Sequence, residues 1–164
     1  MINNWYNKNI RKISGIIREE EIGLKRKFDD LVVNVEHPAG TDRYGVDPEG
    51  KEWRVKMKYD YGFLPSFKGE DGEGLDVYVG PNHKSKHVYI IHQNNPRTGE
   101  YDEDKCMMGF DEEEKAKKAY LDHYDSDKFF GSMSSISFEE FKDIVKNKKN
   151  QKVKWKKKIK PIKN

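Results

Sequence analysis

Three carboxylates, Asp71, Glu73 and Asp76, fall within six residues of the segment YDYGFLPSFKGEDGEGLDVYVGP, which runs from Tyr59 to Pro81. Folded close together, such groups repel one another and lose solvation, a cost that a bound cation offsets. Hard divalent cations such as Mg²⁺ take oxygen ligands, and their sites commonly carry substrate phosphate as well. Gly69, Gly72 and Gly74 allow the loop to bend so that the carboxyls converge. In that arrangement Asp71 and Asp76 bind one metal, and Glu73 is a further ligand or a general base. The alternative is a polar turn, EDGEG, between two strands.

A second acidic group, Asp102, Glu103 and Asp104, directly precedes Lys105. Alone it reads as a solvated surface run. Together with the first group it would place two metals around one phosphoryl group, one activating water and one shielding the leaving oxygen. Lys105 then has a role as a phosphate ligand. Arg43, Arg54, Lys56 and Lys58 lie upstream. On an alternating strand Arg54, Lys56 and Lys58 share one face, which is either turned to phosphate or exposed. Tyr61 is a phosphate hydrogen-bond donor or a core side chain, and Glu36 ends the polar face of its strand. His87, His92 and His123 lack ligand spacing and read as structural or exposed. No serine or cysteine sits in a nucleophile motif, so transfer of a phosphoryl group to water fits better than covalent catalysis.

These groups need a frame. Leu31–Glu36 alternates and ends at Pro38 and Gly40, which predicts a strand. Residues 53–63 predict one or two more. Leu75, Val77 and Val79 alternate with Asp76 and Tyr78, so Asp76 leaves the face that enters the core. HVYIIH (87–92) is an apolar strand, NNPRTG (94–99) a turn, and 105–110 a further strand. Two helices follow. Asp111 is placed to cap the first, with Glu114 at the capping-box position and Ala116, Ala119, Tyr120 and Tyr124 on one face. Ser137 is placed to cap the second, with Glu140 three residues on and Phe138, Phe141, Ile144 and Val145 apolar. Ile10, Ile13, Ile17 and Leu24 predict an amphipathic N-terminal helix. Strands first and helices later imply an α+β protein with a small, mostly antiparallel sheet or barrel.

The chain has 164 residues and reads as one domain, residues 30–146, between a helical extension (1–29) and a Lys-rich tail (147–164). Its 34% hydrophobic residues, against 37% charged, still suffice for a core because they concentrate between Leu31 and Val145. The single cysteine, Cys106, excludes an internal disulfide and a cysteine zinc site. No apolar run is long enough to span a membrane, and the first residues lack a secretory pattern, so a cytoplasmic protein is expected. The net charge of +3 hides an asymmetry: residues 142–164 hold 11 lysines and one aspartate, which leaves the rest of the chain acidic. The tail is either a solvated terminus or a contact for nucleic acid, with Trp155 available to stack on a base. The N-terminal helix leaves an oligomer open.

The segment DYGFLPSFKGEDGEGLDVYV resembles the soluble Mg²⁺-dependent inorganic pyrophosphatases of the first family. Their signature is an acidic loop of the form D-G-D-x-L/V-D-V after a Tyr-Gly-Tyr/Phe-Ile strand. Upstream, VEHPAGTDRYGVDPEG is similar to their early strand and hairpin. The order E-x-P-x-G, W-x-x-x-M, LDV-aromatic-V/I-GP, TG-x-[YF]-DE-x-K and MxGF, with a helix ending in AYL-x-x-Y, is closer still to the pyrophosphatase-like domain of phage and mobile-element proteins. The resemblance spans Glu36 to Tyr124. It implies a small OB-like β-barrel with packed C-terminal helices, and several Mg²⁺ ions that hold pyrophosphate, or a related diphosphate, for in-line attack by a metal-activated water. It makes Asp71 and Asp76 metal ligands, Glu73 ligand and general base, Glu36 an early active-site glutamate, and Glu103 or Asp104 a second-metal carboxylate. Phosphate falls to Arg43, Lys56 (with Arg54 competing), Tyr61 and Lys105, and Tyr124 matches the tyrosine of a late Tyr-Lys pair. The chain departs at Glu73, where aspartate is usual, at Asp125, where lysine is usual, and at Gly45, where a carboxylate is common. The Glu73 and Asp125 departures motivate a second reading: a catalytically weakened accessory module that binds nucleic acid through residues 142–164.

Overall fold

A computed structural model describes residues 24–65, 74–147 and 155. Among these residues nine strands and two helices follow one another: β1 (Lys25–Phe28), β2 (Leu31–His37), β3 (Asp42–Val46), β4 (Glu52–Lys56), β5 (Asp60–Leu64), β6 (Leu75–Val79), β7 (His87–Asn94), β8 (Tyr101–Met108), α1 (Glu113–Leu121), β9 (Phe130–Ser137) and α2 (Phe138–Asn147). A short 3₁₀ turn, Asp127–Phe129, leads into β9.

Seven strands form one sheet in the order β1-β2-β5-β6-β8-β7-β9, and β3 and β4 form a separate hairpin. All neighbours run antiparallel except β6 and β8, which are parallel. The expected α+β class with a mostly antiparallel sheet is what the chain adopts. Among the described residues β1 and β9 stay at opposite edges, so the sheet is open there and no closed barrel is seen. Strand β1 lies within the stretch expected to be a helical extension. Leu24, expected on a helix stripe, precedes β1 in non-helical backbone and is exposed, whereas residues 1–23, with Ile10, Ile13 and Ile17, lie outside the described residues, as do Asp71 and Glu73.

Both faces of the sheet are covered. Val33, Val77, Val79, Val88, Ile90, Cys106, Met108 and Ile136 form one core, closed by Phe141 and Val145 of α2. Tyr61, Tyr78, Tyr89, Ile91, Met107 and Met133 form the other, closed by Ala116, Ala119 and Tyr120 of α1. The central strand β6 is therefore buried along its whole length. Asp76 does leave the Leu75–Val77–Val79 face as expected, but the face it joins is also enclosed, and it is only 7% exposed.

The second helix cap is as expected: the backbone N–H of Glu140 donates to Ser137 Oγ at 3.2 Å. The first is not. Asp111 instead accepts from Asn82 Nδ2 at 2.9 and 3.0 Å, and α1 begins at Glu113 with no side-chain cap at Glu112. Trp155 stacks on Phe141 at 5.2 Å and is fully buried, so its indole is a core group and not a platform for a base.

Candidate active site

Strand pairing assembles the site on the tyrosine-rich face. Tyr61 lies opposite Tyr78, Asp76 lies beside Lys105, and Glu103 lies opposite Gln93. With a period of two along each strand, all six side chains emerge on the same side. At the centre is Lys105, 1% exposed. Its Nζ donates to Tyr61 Oη at 2.9 Å and Asp76 Oδ2 at 2.8 Å, and lies 2.9 Å from Glu103 Oε1. An ammonium group has three donors, and these three partners use them all. Burial opposes the Lys105 charge, yet Asp76 and Glu103 hold its pKa well above the ordinary lysine range. Burial pushes the Glu103 carboxyl up, Lys105 pulls it down, and Asp76 adds to the rise.

Arg43, 5% exposed, comes from the β3–β4 hairpin. Its guanidinium stands 4.3 Å from the Tyr61 ring centroid and 5.7 Å from that of Trp53. Cross-strand pairing explains the choice of cation. Arg43 lies opposite Val55 and Gly45 opposite Trp53, so these four face inward, whereas Asp42 with Lys56 and Tyr44 with Arg54 face outward. Arg54 donates to Asp42 at 2.5 Å and Lys56 lies 3.9 Å from the same carboxylate. The hairpin thus brings Arg43 to the cluster and turns Arg54 and Lys56 away. Lys58, expected on their face, is 3.5 Å from Asp122.

Tyr124, just beyond α1, is reached by Tyr78 Oη at 3.4 Å. Burial raises the phenol pKa of Tyr61, Tyr78 and Tyr124, so all three stay protonated and can donate. A cavity of ≈ 360 Å³ opens beside Arg43, Tyr124 and Asp102.

Two β-bulges adjust the carboxylates. The register of β2 against β5 shifts between Val35 and His37, which leaves Glu36 as the extra residue. The register of β7 against β8 shifts between Gln93 and Asn94, which leaves Asp102 extra. Gln93 Nε2 reaches both Asp102 Oδ2 at 3.3 Å and Glu103 Oε1 at 3.2 Å, and its own Oε1 accepts from Tyr120 Oη at 2.7 Å. Asp104 is not part of this group. It points to the opposite face, where Oδ1 lies 2.7 Å from His92 Nδ1, and His92 Nε2 lies 2.7 Å from Ser134 Oγ. It ties β7, β8 and β9 together, so Glu103 is the carboxylate of the pair that faces Lys105.

A family model for inorganic pyrophosphatase matches residues 22–146, about three quarters of the chain. The chain belongs to the inorganic pyrophosphatase family. The match takes in all of β1–β9 and nearly all of α2. Among solved structures, an inorganic pyrophosphatase from Neisseria gonorrhoeae is similar at 19% identity, over 70% of this chain and 86% of that one, with a TM-score of 0.41. No curated protein matches.

Family membership raises the question of Mg²⁺. Among the described residues no three carboxylate, imidazole or thiol groups converge on a point that would hold a metal. Asp76 and Glu103 do share one cation, Lys105 Nζ, at 2.8 and 2.9 Å. The donors around them are oxygens, and the one cysteine, Cys106, is buried on the other face. That donor chemistry suits a hard cation. The acidic loop that would complete the set, with Asp71 and Glu73, lies outside the described residues. Gln93 and Tyr120 were not foreseen as site residues. Their signal was a glutamine following Tyr89 and Ile91 on the buried face of an apolar strand, a polar group that must find partners there.

Proposed function

We propose that this protein hydrolyses inorganic pyrophosphate or a related diphosphate, with Mg²⁺ as cofactor, at the Lys105–Asp76–Glu103–Tyr61–Arg43 cluster. The observation that carries the reading is a buried lysine held between two buried carboxylates, beneath a buried arginine, in a chain of this family. Such a cluster pays a large desolvation cost that packing alone would not require.

Asp76 and Glu103 would hold the cation, with Asp71, Glu73 and Glu36 as further candidates. Bound Mg²⁺ would neutralise phosphate charge and make water a better nucleophile. Arg43 offers a planar fork of donors to phosphate oxygens, stiffened by its contacts with Tyr61 and Trp53. Tyr61 and Tyr124, kept protonated by burial, donate to the same oxygens. Lys105 reaches phosphate only by exchanging one of its three present partners. Water then adds its oxygen to one phosphorus in line, the bond from that phosphorus to the bridging oxygen breaks, and the second phosphate leaves with that oxygen. Glu73 is the expected acceptor of the water proton. Lys56 has a weaker claim than Arg43, because its ion pair with Asp42 lies on the outer face.

The nucleic-acid reading has less support. Lys142 pairs with Asp29 at 2.6 Å, Lys146 contacts Asp30, and Trp155 is buried. Phosphate release from pyrophosphate with Mg²⁺ is the test: the wild type should turn over and Asp76→Asn should not. No release by a folded wild type would overturn the proposal.

A further inference from the structure

Away from Arg43 the cavity changes character. Its ≈ 360 Å³ falls within the range of about 300–1,000 Å³ in which proteins enclose organic ligands. Its walls there are largely carbon: Pro48, Trp53, Val55, Met57, Pro96 and Phe129. Besides Arg43, the cations at its border are Lys51, Arg54, which pairs with Asp42, and Arg97, which pairs with Glu49 at 3.2 Å. Asp125 adds a negative charge at the same border. An uncharged ring placed among these carbons would meet an indole.

The indole has its place because position 45 carries no side chain. Gly45 lies opposite Trp53 across the hairpin, and a Cβ there would come within 2.1 Å of the indole Cζ2. Trp53 therefore lies against the β3 backbone, with the Arg43 guanidinium over its ring at 5.7 Å from the centroid. An aromatic wall stands directly beside the cation assigned to phosphate.

We infer that this cavity takes the base and sugar of a nucleoside diphosphate whose phosphates lie at Arg43 and Tyr124, with the base against Trp53. Asp125 is placed to accept from the sugar hydroxyls. The inference rests on the phosphohydrolase reading and narrows its substrate. Water adds its oxygen to the terminal phosphorus, the bond from that phosphorus to the bridging oxygen breaks, the nucleoside monophosphate leaves with that oxygen, and one proton passes to the medium.

Calorimetric titration of the full chain with Mg²⁺ tests it, using two non-hydrolysable probes: α,β-methylene adenosine diphosphate and methylenediphosphonate, which lacks base and sugar. Stacking of a base on an aromatic side chain predicts that the nucleoside probe binds about tenfold more tightly or better. Trp53→Ala should abolish that preference, and Trp53→Phe, which keeps a ring, should retain most of it. Equal binding of the two probes by the wild type, or a preference that survives Trp53→Ala, would overturn the inference. The wild-type comparison decides the matter even if the alanine variant does not fold. If both probes fail to bind, the phosphohydrolase reading itself is wrong.

Discussion

Lys105 is the residue on which the site balances. It is buried with two carboxylates, and removing one partner of a buried ionic group leaves uncompensated charge. Lys105→Met should therefore destabilise the metal-free protein by about 3–5 kcal/mol in urea unfolding, measured with a chelator present. A cost under about 1 kcal/mol, the level of an exposed ion pair, would mean that the cluster is not held as described. His123 gives a separate residue-scale prediction. Its Nδ1 lies 2.6 Å from the Ala119 carbonyl and its Nε2 accepts from the Lys58 N–H at 3.0 Å, which fixes a neutral ring. Burial lowers its pKa below the ordinary 6.5, with the Ala119 carbonyl opposing the shift. The unfolded chain thus binds the proton more readily, so this contribution to stability is complete above about pH 6.5 and declines as pH falls from there toward the folded value. Wild type should lose more stability than His123→Gln between about pH 7.5 and about pH 5.5, and equal losses would contradict this. The residue types of the candidate site were legible in the sequence because two acidic groups, one of them beside a lysine, flank one apolar strand. The choice between Glu103 and Asp104 was not, because it depends on which face of β8 each joins.

At the scale of elements, register does the positioning. Bulges in β2 and β8 set Glu36 and Asp102 apart from simple alternation, and no composition signal marks a bulge in advance. Strands β2 and β6 were legible from apolar alternation and β7 from a continuous apolar run. Strand β9 was not, since FGSMSSIS is rich in serine and is held by pairing with β7 and by the burial of Met133, Ser134 and Ile136. Gly62 tests the β2–β5 register, because a Cβ there would fall 1.8 Å from the Asn34 carbonyl oxygen. Gly62→Ala must separate the strands or shift their pairing, at a cost of about 3 kcal/mol or more. It should also lower activity by misplacing Tyr61. A variant as stable as wild type would show that the two strands are not so close.

At the scale of the whole molecule, one sheet buried on both faces divides the work. One face carries an aliphatic core under α2. The other carries tyrosines, Arg43 and the Lys105 cluster beneath α1 and the hairpin. The polar site is affordable because the aliphatic face supplies apolar burial without it. Trp155, far along the chain, belongs to that aliphatic core, so the Lys-rich tail is anchored by at least one residue. Under the proposed function the tyrosine-lined face hydrolyses a diphosphate. The most direct measurement is phosphate release from pyrophosphate by wild type and Asp76→Asn, with Mg²⁺ and with a chelator. Release by wild type with Mg²⁺, lost in the chelator and in Asp76→Asn while the fold persists, is the predicted result. Equal release by the two proteins, or none by a folded wild type with Mg²⁺, would contradict it.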